Sequence, residues 1–194
     1  MHSQVPSPLT GHDLGRSIGQ QIFEPRLAPA VPPAFDRSRP KVIFDHYASV
    51  GNVGTGEDDL YSDTTAASQL SANGEKLEVE FGGTFVSSAT ATREIKVYFA
   101  GTAIFDTGAL TLSLSSAWAC YVSIIRVSAS VIRYMVTFAT EGAALAAYTS
   151  VGELTGLTLS NSNVLKLTGE AAGVGAATND IVAMMGSVSW VPAA

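Results

Sequence analysis

The sequence predicts an all-β protein: an antiparallel β-sandwich or barrel of about 8–10 short strands, preceded by an extended, proline-rich N-terminal arm. Three observations carry this expectation. Seven of the eight prolines (Pro6, Pro8, Pro25, Pro29, Pro32, Pro33 and Pro40) fall in the first 40 residues, and only Pro192 lies beyond them. From Lys41 onward the apolar pattern has period two, with turn residues every ~8–12 positions. No helical period of useful length occurs after residue 40.

Residues 1–40 therefore read as an extended arm outside the globular core and 41–194 as one β-domain. Proline lacks the N–H that a central strand needs, so the arm favours extended or polyproline II backbone. Leu14, Ile18 and Ile22 have helical spacing, but Gly15 and Gly19 weaken the turn and Pro25 ends it. The arm carries Arg16, Arg26, Arg37 and Arg39 against Asp13, Glu24 and Asp36, and two apolar anchors, Phe23 and Phe35. Segments of this kind order on a partner.

The domain opens with Val42-Ile43-Phe44-Asp45-His46-Tyr47-Ala48 as a first strand. Gly51 to Asn73 reads as a long, polar, glycine-rich loop. Its Glu57, Asp58, Asp59 and Asp63 lack the alternating spacing that aims carboxylates at one calcium ion, so a solvated acidic loop is expected. Leu77-Glu78-Val79-Glu80-Phe81 alternates cleanly, and Gly82-Gly83 marks a bulge or bend before Thr84-Phe85-Val86. Further strands are expected at Ile95–Phe99, Ala103–Phe105, Leu110–Leu114, Trp118–Val127 and Val131–Ala139. After an alanine-rich passage from Gly142, strands resume at Thr155–Leu159, Val164–Thr168 and Ile181–Val191.

Several of these strands are apolar on both faces. Cys120, Val122 and Ile124 alternate with Tyr121, Ile125 and Val127, while Ile132, Tyr134, Val136 and Phe138 oppose Val131 and Met135. One face meets the core and the other needs a different partner, most simply a copy of the same chain. Composition agrees: charged residues are 14% and hydrophobic ones 46%, against roughly 25% charged in an average globular protein.

The chemistry that can be excluded is broad. A net charge of −6 argues against nucleic acid as a partner. One cysteine, Cys120, excludes an intrachain disulfide and a multi-cysteine zinc site, and its strand setting predicts a buried, inert thiol. No run approaches the ~18 apolar residues of a membrane span, and Met1-His2-Ser3-Gln4-Val5-Pro6 shows no signal peptide, so a soluble product made in the cytoplasm is expected. His2, His12 and His46 are isolated, and Asp45 beside His46 faces the opposite side of the strand.

Asp106-Thr107-Gly108 admits two readings. It is how an aspartic protease presents its carboxylate, and one copy per chain would require a dimer sharing a proton across its axis. It is also a plain turn in which Asp bonds the backbone ahead and Gly takes a positive φ. The sequence after Gly108 is a Leu-Thr-Leu-Ser-Leu strand pattern rather than the protease's polar turn, and Met184-Met185-Gly186 is the only near match to the late apolar-apolar-Gly element. The turn reading is preferred, and no catalytic, cofactor or metal residues are assigned.

The ordered series Asn73-Gly74-Glu75-Lys76-Leu77, Gly83-Thr84-Phe85, Val97 through Gly108, Trp118, Ile124-Ile125-Arg126, Gly169-Glu170, Thr178-Asn179-Asp180-Ile181-Val182 and Trp190-Val191-Pro192 resembles a group of jelly-roll proteins encoded among the structural genes of tailed bacteriophages. The similarity spans about residues 60–192. It implies a jelly-roll sandwich like those of tumour necrosis factor-like trimers, three copies side by side, and a place on the virion surface. It also implies attachment to the major capsid protein or another virion protein through the N-terminal segment. Arg16, Phe23, Arg26, Phe35, Arg37 and Arg39 are then the candidate capsid-attachment residues. A homotrimeric capsid decoration protein is the leading expectation, with no nucleic acid or membrane as partner. A short tail-fibre or collar adhesin binding a host surface glycan comes second, and a homodimeric aspartic protease using Asp106 is the alternative from another class.

Overall fold

The computed structural model describes residues 37–88, 90–112, 114–141 and 146–194. Eleven strands run through them: β1 (Lys41–His46), β2 (Val50–Gly51), β3 (Gly56–Thr65), β4 (Lys76–Phe85), β5 (Ala91–Phe99), β6 (Thr102–Asp106), β7 (Ser116–Ser128), β8 (Val131–Thr140), β9 (Ala146–Leu154), β10 (Asn163–Gly173) and β11 (Ile181–Val191). They form two antiparallel sheets. The larger has the order β1-β11-β4-β7-β8-β9, with β2 also paired to β11, and the smaller is β3-β10-β5-β6. The chain changes sheet between β2 and β3, β3 and β4, β4 and β5, β6 and β7, β9 and β10, and β10 and β11. This is a jelly-roll β-sandwich, the expected fold class, with the β8–β9 hairpin extending one sheet.

Alternation sorts the side chains. Leu77, Val79, Phe81 and Phe85 of β4, Cys120, Val122 and Ile124 of β7, and Val188 and Trp190 of β11 face inward from the large sheet. Ile95, Val97 and Phe99 of β5 and Leu165 and Leu167 of β10 answer from the small one. Toward one end of the interior the rings of Phe85, Trp118 and Phe138 lie within about 6 Å of one another, with Phe105 of β6 and Tyr148 of β9 added around Phe138. Gly83 is required there: a Cβ at that position would lie 2.6 Å from the Trp118 indole. The bend expected at Gly82-Gly83 is a register shift in the facing strand, between Ala183 and Met185.

Two polar clamps close the sandwich. At one end, Asn52 is fully buried; its side chain donates to the carbonyls of Gly54 and Ala177 and accepts from the Ile181 amide. Beside it Asp180 accepts from the Ala177 amide at 2.7 Å and pairs with the guanidinium of Arg93, a core-facing residue of β5, at 3.0 Å. The Thr178-Asn179-Asp180 motif is thus a turn that ties the start of β11 to β2 and β5. At the start of the described chain, Arg37 donates to Glu75 and to the Ser68 carbonyl and lies over the Trp190 ring, 5.2 Å from its centroid. Glu75 is itself buried, accepting from the Ser71 and Ala72 amides at 2.6 and 2.8 Å. Arg37, grouped with the arm on sequence, is therefore clamped to the sandwich.

Four sequence expectations are corrected. Gly51–Asn73 is not one loop, because β3 occupies Gly56–Thr65 and pairs with β10 along its length. The alanine-rich passage leads into a strand, β9, rather than a loop extending to Glu153. Leu110–Leu112 does not continue as a strand: Leu110 exchanges both backbone bonds with Arg93 as an isolated bridge, and Leu112 only accepts from Ser88. Thr155–Leu159 is a connection whose Leu159 plugs the core while its amide bonds to Ala129. Ser113 and residues 142–145 lie outside the described residues.

Removing one partner of a buried pair leaves the other charge stranded. Arg93→Ala is therefore expected to cost about 3–5 kcal/mol in urea unfolding; a loss below about 1 kcal/mol would show that Asp180 does not depend on it.

Candidate functional site

The two outer faces of the sandwich differ in chemistry. On the small sheet, the register places Glu57, Glu170 and Glu94 in one row, Asp59, Thr168, Lys96 and Asp106 in the next, and Ser62, Lys166 and Tyr98 in a third. Lys96 sits at the centre, 3.2 Å from Glu57, 3.0 Å from Glu94 and 3.6 Å from Glu170. Lys166 reaches Asp59 at 2.9 Å and lies over the Tyr98 ring, 5.1 Å from its centroid.

This packing shifts titrations in opposite directions. Burial raises Glu57, but hydrogen bonds from Tyr98, Thr168 and Lys96 outweigh it and hold the carboxyl below its ordinary value. Glu94 moves the other way, pushed up by burial and by the neighbouring Asp106 carboxylate against the pull of Lys96. Lys96 is held protonated more firmly than usual, first by Glu94 and then by Glu57, despite its burial. Burial and the Glu57 carboxylate raise the Tyr98 phenol.

The expected solvated acidic loop is thus a strand whose carboxylates part company. A register shift between Leu167 and Thr168 of β10 sets Leu60 as the extra residue of β3, so Leu60 and Tyr61 both turn inward. Glu57 and Asp59 remain on the outer face; Asp58 accepts from the Val53 amide at 2.7 Å, and Asp63 is buried. Asp63 bonds His46 of the other sheet at 2.8 Å, and the His46 ring stacks on Tyr61 with centroids 4.2 Å apart. Among the described residues no group of three His, Cys, Asp or Glu could hold a metal ion.

On the large sheet the outer face carries an apolar patch beside the exposed Arg133–Glu153 pair. The register shift between Ala183 and Met185 turns both Met184 and Met185 outward, where they are 49% and 58% exposed. Tyr121 (54%), Met135 (49%) and Val151 (72%) continue the patch across β7, β8 and β9. Gly82 and Ala119 lower its floor, leaving a shallow cleft of about 490 Å³ bounded by Met184, Met185 and Tyr121. Glu78 and Glu80 cross the patch on β4, with the Ser123 hydroxyl donating to Glu78 at 3.1 Å.

Of the residues singled out in the sequence, Arg16, Phe23, Arg26 and Phe35 lie outside the described residues. Arg37 is engaged within its own domain as described, and Arg39 is exposed nearby in sequence. Asp106 accepts from the Gly108 amide at 2.6 Å and Gly108 has φ +64°, the geometry of the turn reading; Thr107 anchors the turn through its hydroxyl to the Ile95 amide at 2.9 Å. Cys120 is buried, and burial pushes its thiol up to about 12. The His46–Asp63 bond joins residues 17 apart in sequence, and no motif announces it.

No family model matches the chain, and no curated protein matches it. Among solved structures, it overlaps the infectious bursal disease virus VP2 subviral particle at 11% identity and a TM-score of 0.37, over 86% of this chain and 37% of that one. Peanut lectin overlaps at 7% identity and a TM-score of 0.41, over 79% of this chain and 98% of the lectin. The CBM2 module of the evolved Dit of Lactobacillus casei BL23 phage J-1 overlaps at 8% identity and 0.34, over 80% and 98% of the two chains. The chain thus spans little more than a third of the viral protein's length.

The opposed shifts give opposed pH dependence. Glu57 has a lowered folded pKa, so its contribution is present above the ordinary value of 4.5 and lost as pH falls through the folded value. Glu94 has a raised one, so its ionisation works against the fold as pH rises. At pH 7, Glu57→Gln should lower the thermal midpoint by a few degrees, a loss that shrinks as pH falls through the folded value; a loss independent of pH would contradict the assignment.

Proposed function

We propose that the protein is a structural component of a tailed-bacteriophage particle: a homotrimeric capsid decoration element attached through residues 1–40. The observation that carries the reading is the contrast between the two outer faces. The small sheet presents Glu57, Asp59, Glu94, Lys96, Asp106, Lys166 and Glu170 to solvent, whereas the large one presents Tyr121, Met135, Val151, Met184 and Met185. A contiguous apolar patch on a protein with 14% charged residues marks an interaction surface. Copies of the same chain around a symmetry axis cover it without a second gene product. Methionine and tyrosine suit such an interface, the first by adapting its shape and the second by adding area with a polar tip.

The number three, and the virion itself, come from the resemblance carried by the motif series between Asn73 and Pro192. The reading is non-catalytic, with Asp106 serving the turn in which its Oδ1 accepts from the Gly108 amide. Arg16, Phe23, Arg26, Phe35, Arg37 and Arg39 remain the residues proposed to dock on the major capsid protein, with Arg37 also held by Glu75, Ser68 and Trp190 of its own domain.

Sedimentation of the full chain should give three times the 20.1 kDa chain mass. Tyr121→Glu and Met185→Glu should each give a folded monomer, since both side chains are outward; a wild-type monomer, or variants that stay trimeric, would overturn the interface. Deleting residues 1–36, which spares the Arg37 clamp, should leave a trimer that no longer binds particles. Retained binding would remove the attachment role.

A further inference from the structure

We infer that the outer face of the small sheet carries a binding site for a neutral saccharide, in the groove between the β5–β6 turn and the start of β10. The groove has a volume of about 640 Å³ and is lined by Glu57, Asp59 and Ser62 of β3, Tyr98 of β5, Ala100 and Gly101 of the turn, and Ser162, Asn163, Val164 and Lys166 at β10. It is the largest of the clefts described on the domain and takes no part in the apolar patch.

The lining selects the ligand class by its charge balance. Asp59 pairs with Lys166 at 2.9 Å, while Glu57, at 3.2 Å, shares Lys96 with Glu94 and Glu170. An anion would therefore meet an excess of carboxylate charge and a cation would compete with the two lysines, while a neutral ligand leaves both lysine contacts in place. What the paired groups still offer is hydrogen bonding. Each carboxylate has lone pairs beyond those its lysine uses, and Lys166 has further N–H donors. These partners fix the carboxylates before any ligand arrives, so little side-chain freedom is lost on binding. The amide of Asn163 is oriented in the same way, by donation to the Asn161 carbonyl at 2.9 Å.

A hydroxyl-rich ligand matches that set of acceptors and donors. Tyr98, whose ring carries Lys166 on one face, and Val164, which is 39% exposed, add apolar surface to the lining. Ala100, Gly101 and Ser162 are small, which leaves the groove open at its end and admits a chain of residues rather than a single enclosed ring. The mix is too polar for a lipid or a drug-like apolar molecule, whose pockets are lined mainly by hydrophobic groups.

The site lies on the face opposite the self-association patch, so assembly leaves it open and repeats it in every copy. It does not depend on the assembly being correct. Multivalent presentation would then raise a weak single-site affinity.

Saturation-transfer difference NMR on the full-length protein tests this with a panel of neutral trisaccharides built from glucose, galactose, mannose and N-acetylglucosamine at millimolar concentration. Sialyllactose and spermidine serve as anionic and cationic controls. At least one neutral trisaccharide is expected to receive saturation at its ring protons, with the signal reduced tenfold or more in Asp59→Ala and in Tyr98→Ala. Asp59 is half-exposed in its side chain, so its replacement keeps the fold even where loss of Tyr98 does not. The Tyr121→Glu chain is expected to retain the signal whatever its mass, which separates this site from the assembly reading. No signal from any neutral sugar, a response confined to the charged controls, or a signal unchanged in Asp59→Ala would each overturn the proposal.

Discussion

A two-sheet sandwich has four faces, and only two of them can meet each other. In this chain the inner pair is filled by Leu77, Phe81, Ile95, Phe99, Ile124, Phe138, Leu167 and Trp190, all nearly or fully buried. That leaves two outer faces to be kept compatible with water by few charged residues. They are not shared evenly. The ladder Glu57–Glu170–Glu94 and its neighbours Lys96 and Lys166 place four ion pairs on the small sheet, while the outer face of the large one carries Arg133–Glu153. Beside that pair and Glu78 and Glu80, the large sheet exposes methionine, tyrosine and valine. This division is the constraint on which the functional account depends, because it gives each face a different kind of partner.

The rest of the architecture serves to hold those two faces in register. Jelly-roll connectivity pairs β1 with β11 and β3 with β10, strands far apart in sequence, so the ends must be pinned for the pairings to persist. Asn52 and the Arg93–Asp180 pair do this at one end, joining β2, β5 and the turn before β11 through buried hydrogen bonds. His46–Asp63 ties the first strand of the large sheet to the small one, with Tyr61 bridging onward to the Ala48 carbonyl at 2.9 Å. Each clamp is polar and buried, so each is satisfied in only one arrangement of the sheets.

Much of this was legible in the sequence, and where it failed the reason is physical. β4, β5, β7 and β8 follow period two because one of their faces is buried along its whole length. β3 is hidden because Gly-Glu-Asp-Asp-Leu-Tyr-Ser-Asp lacks apolar alternation: its outer residues are stabilised by Lys96 and Lys166 on other strands, and its bulge at Leu60 breaks the period. β9 is hidden by small residues at its start, and its Gly152 exists to seat the Tyr134 ring. Leu110–Leu112 and Thr155–Leu159 err in the other direction. Their leucines alternate, but they serve as single anchors for connections rather than as rungs of a ladder. The groove was invisible for a further reason: Glu57, Tyr98 and Lys166 come from three strands that only the fold brings together.

The most direct test of the central division is the solvent access of the large sheet's methionines. Hydroxyl-radical oxidation of the native protein at tens of micromolar, read by mass spectrometry against the urea-unfolded chain, reports on Met135, Met184 and Met185 separately. The account predicts strong protection of all three, relieved together on dilution to the point where the assembly dissociates. Oxidation of all three at the rate of the unfolded chain, independent of concentration, would contradict it.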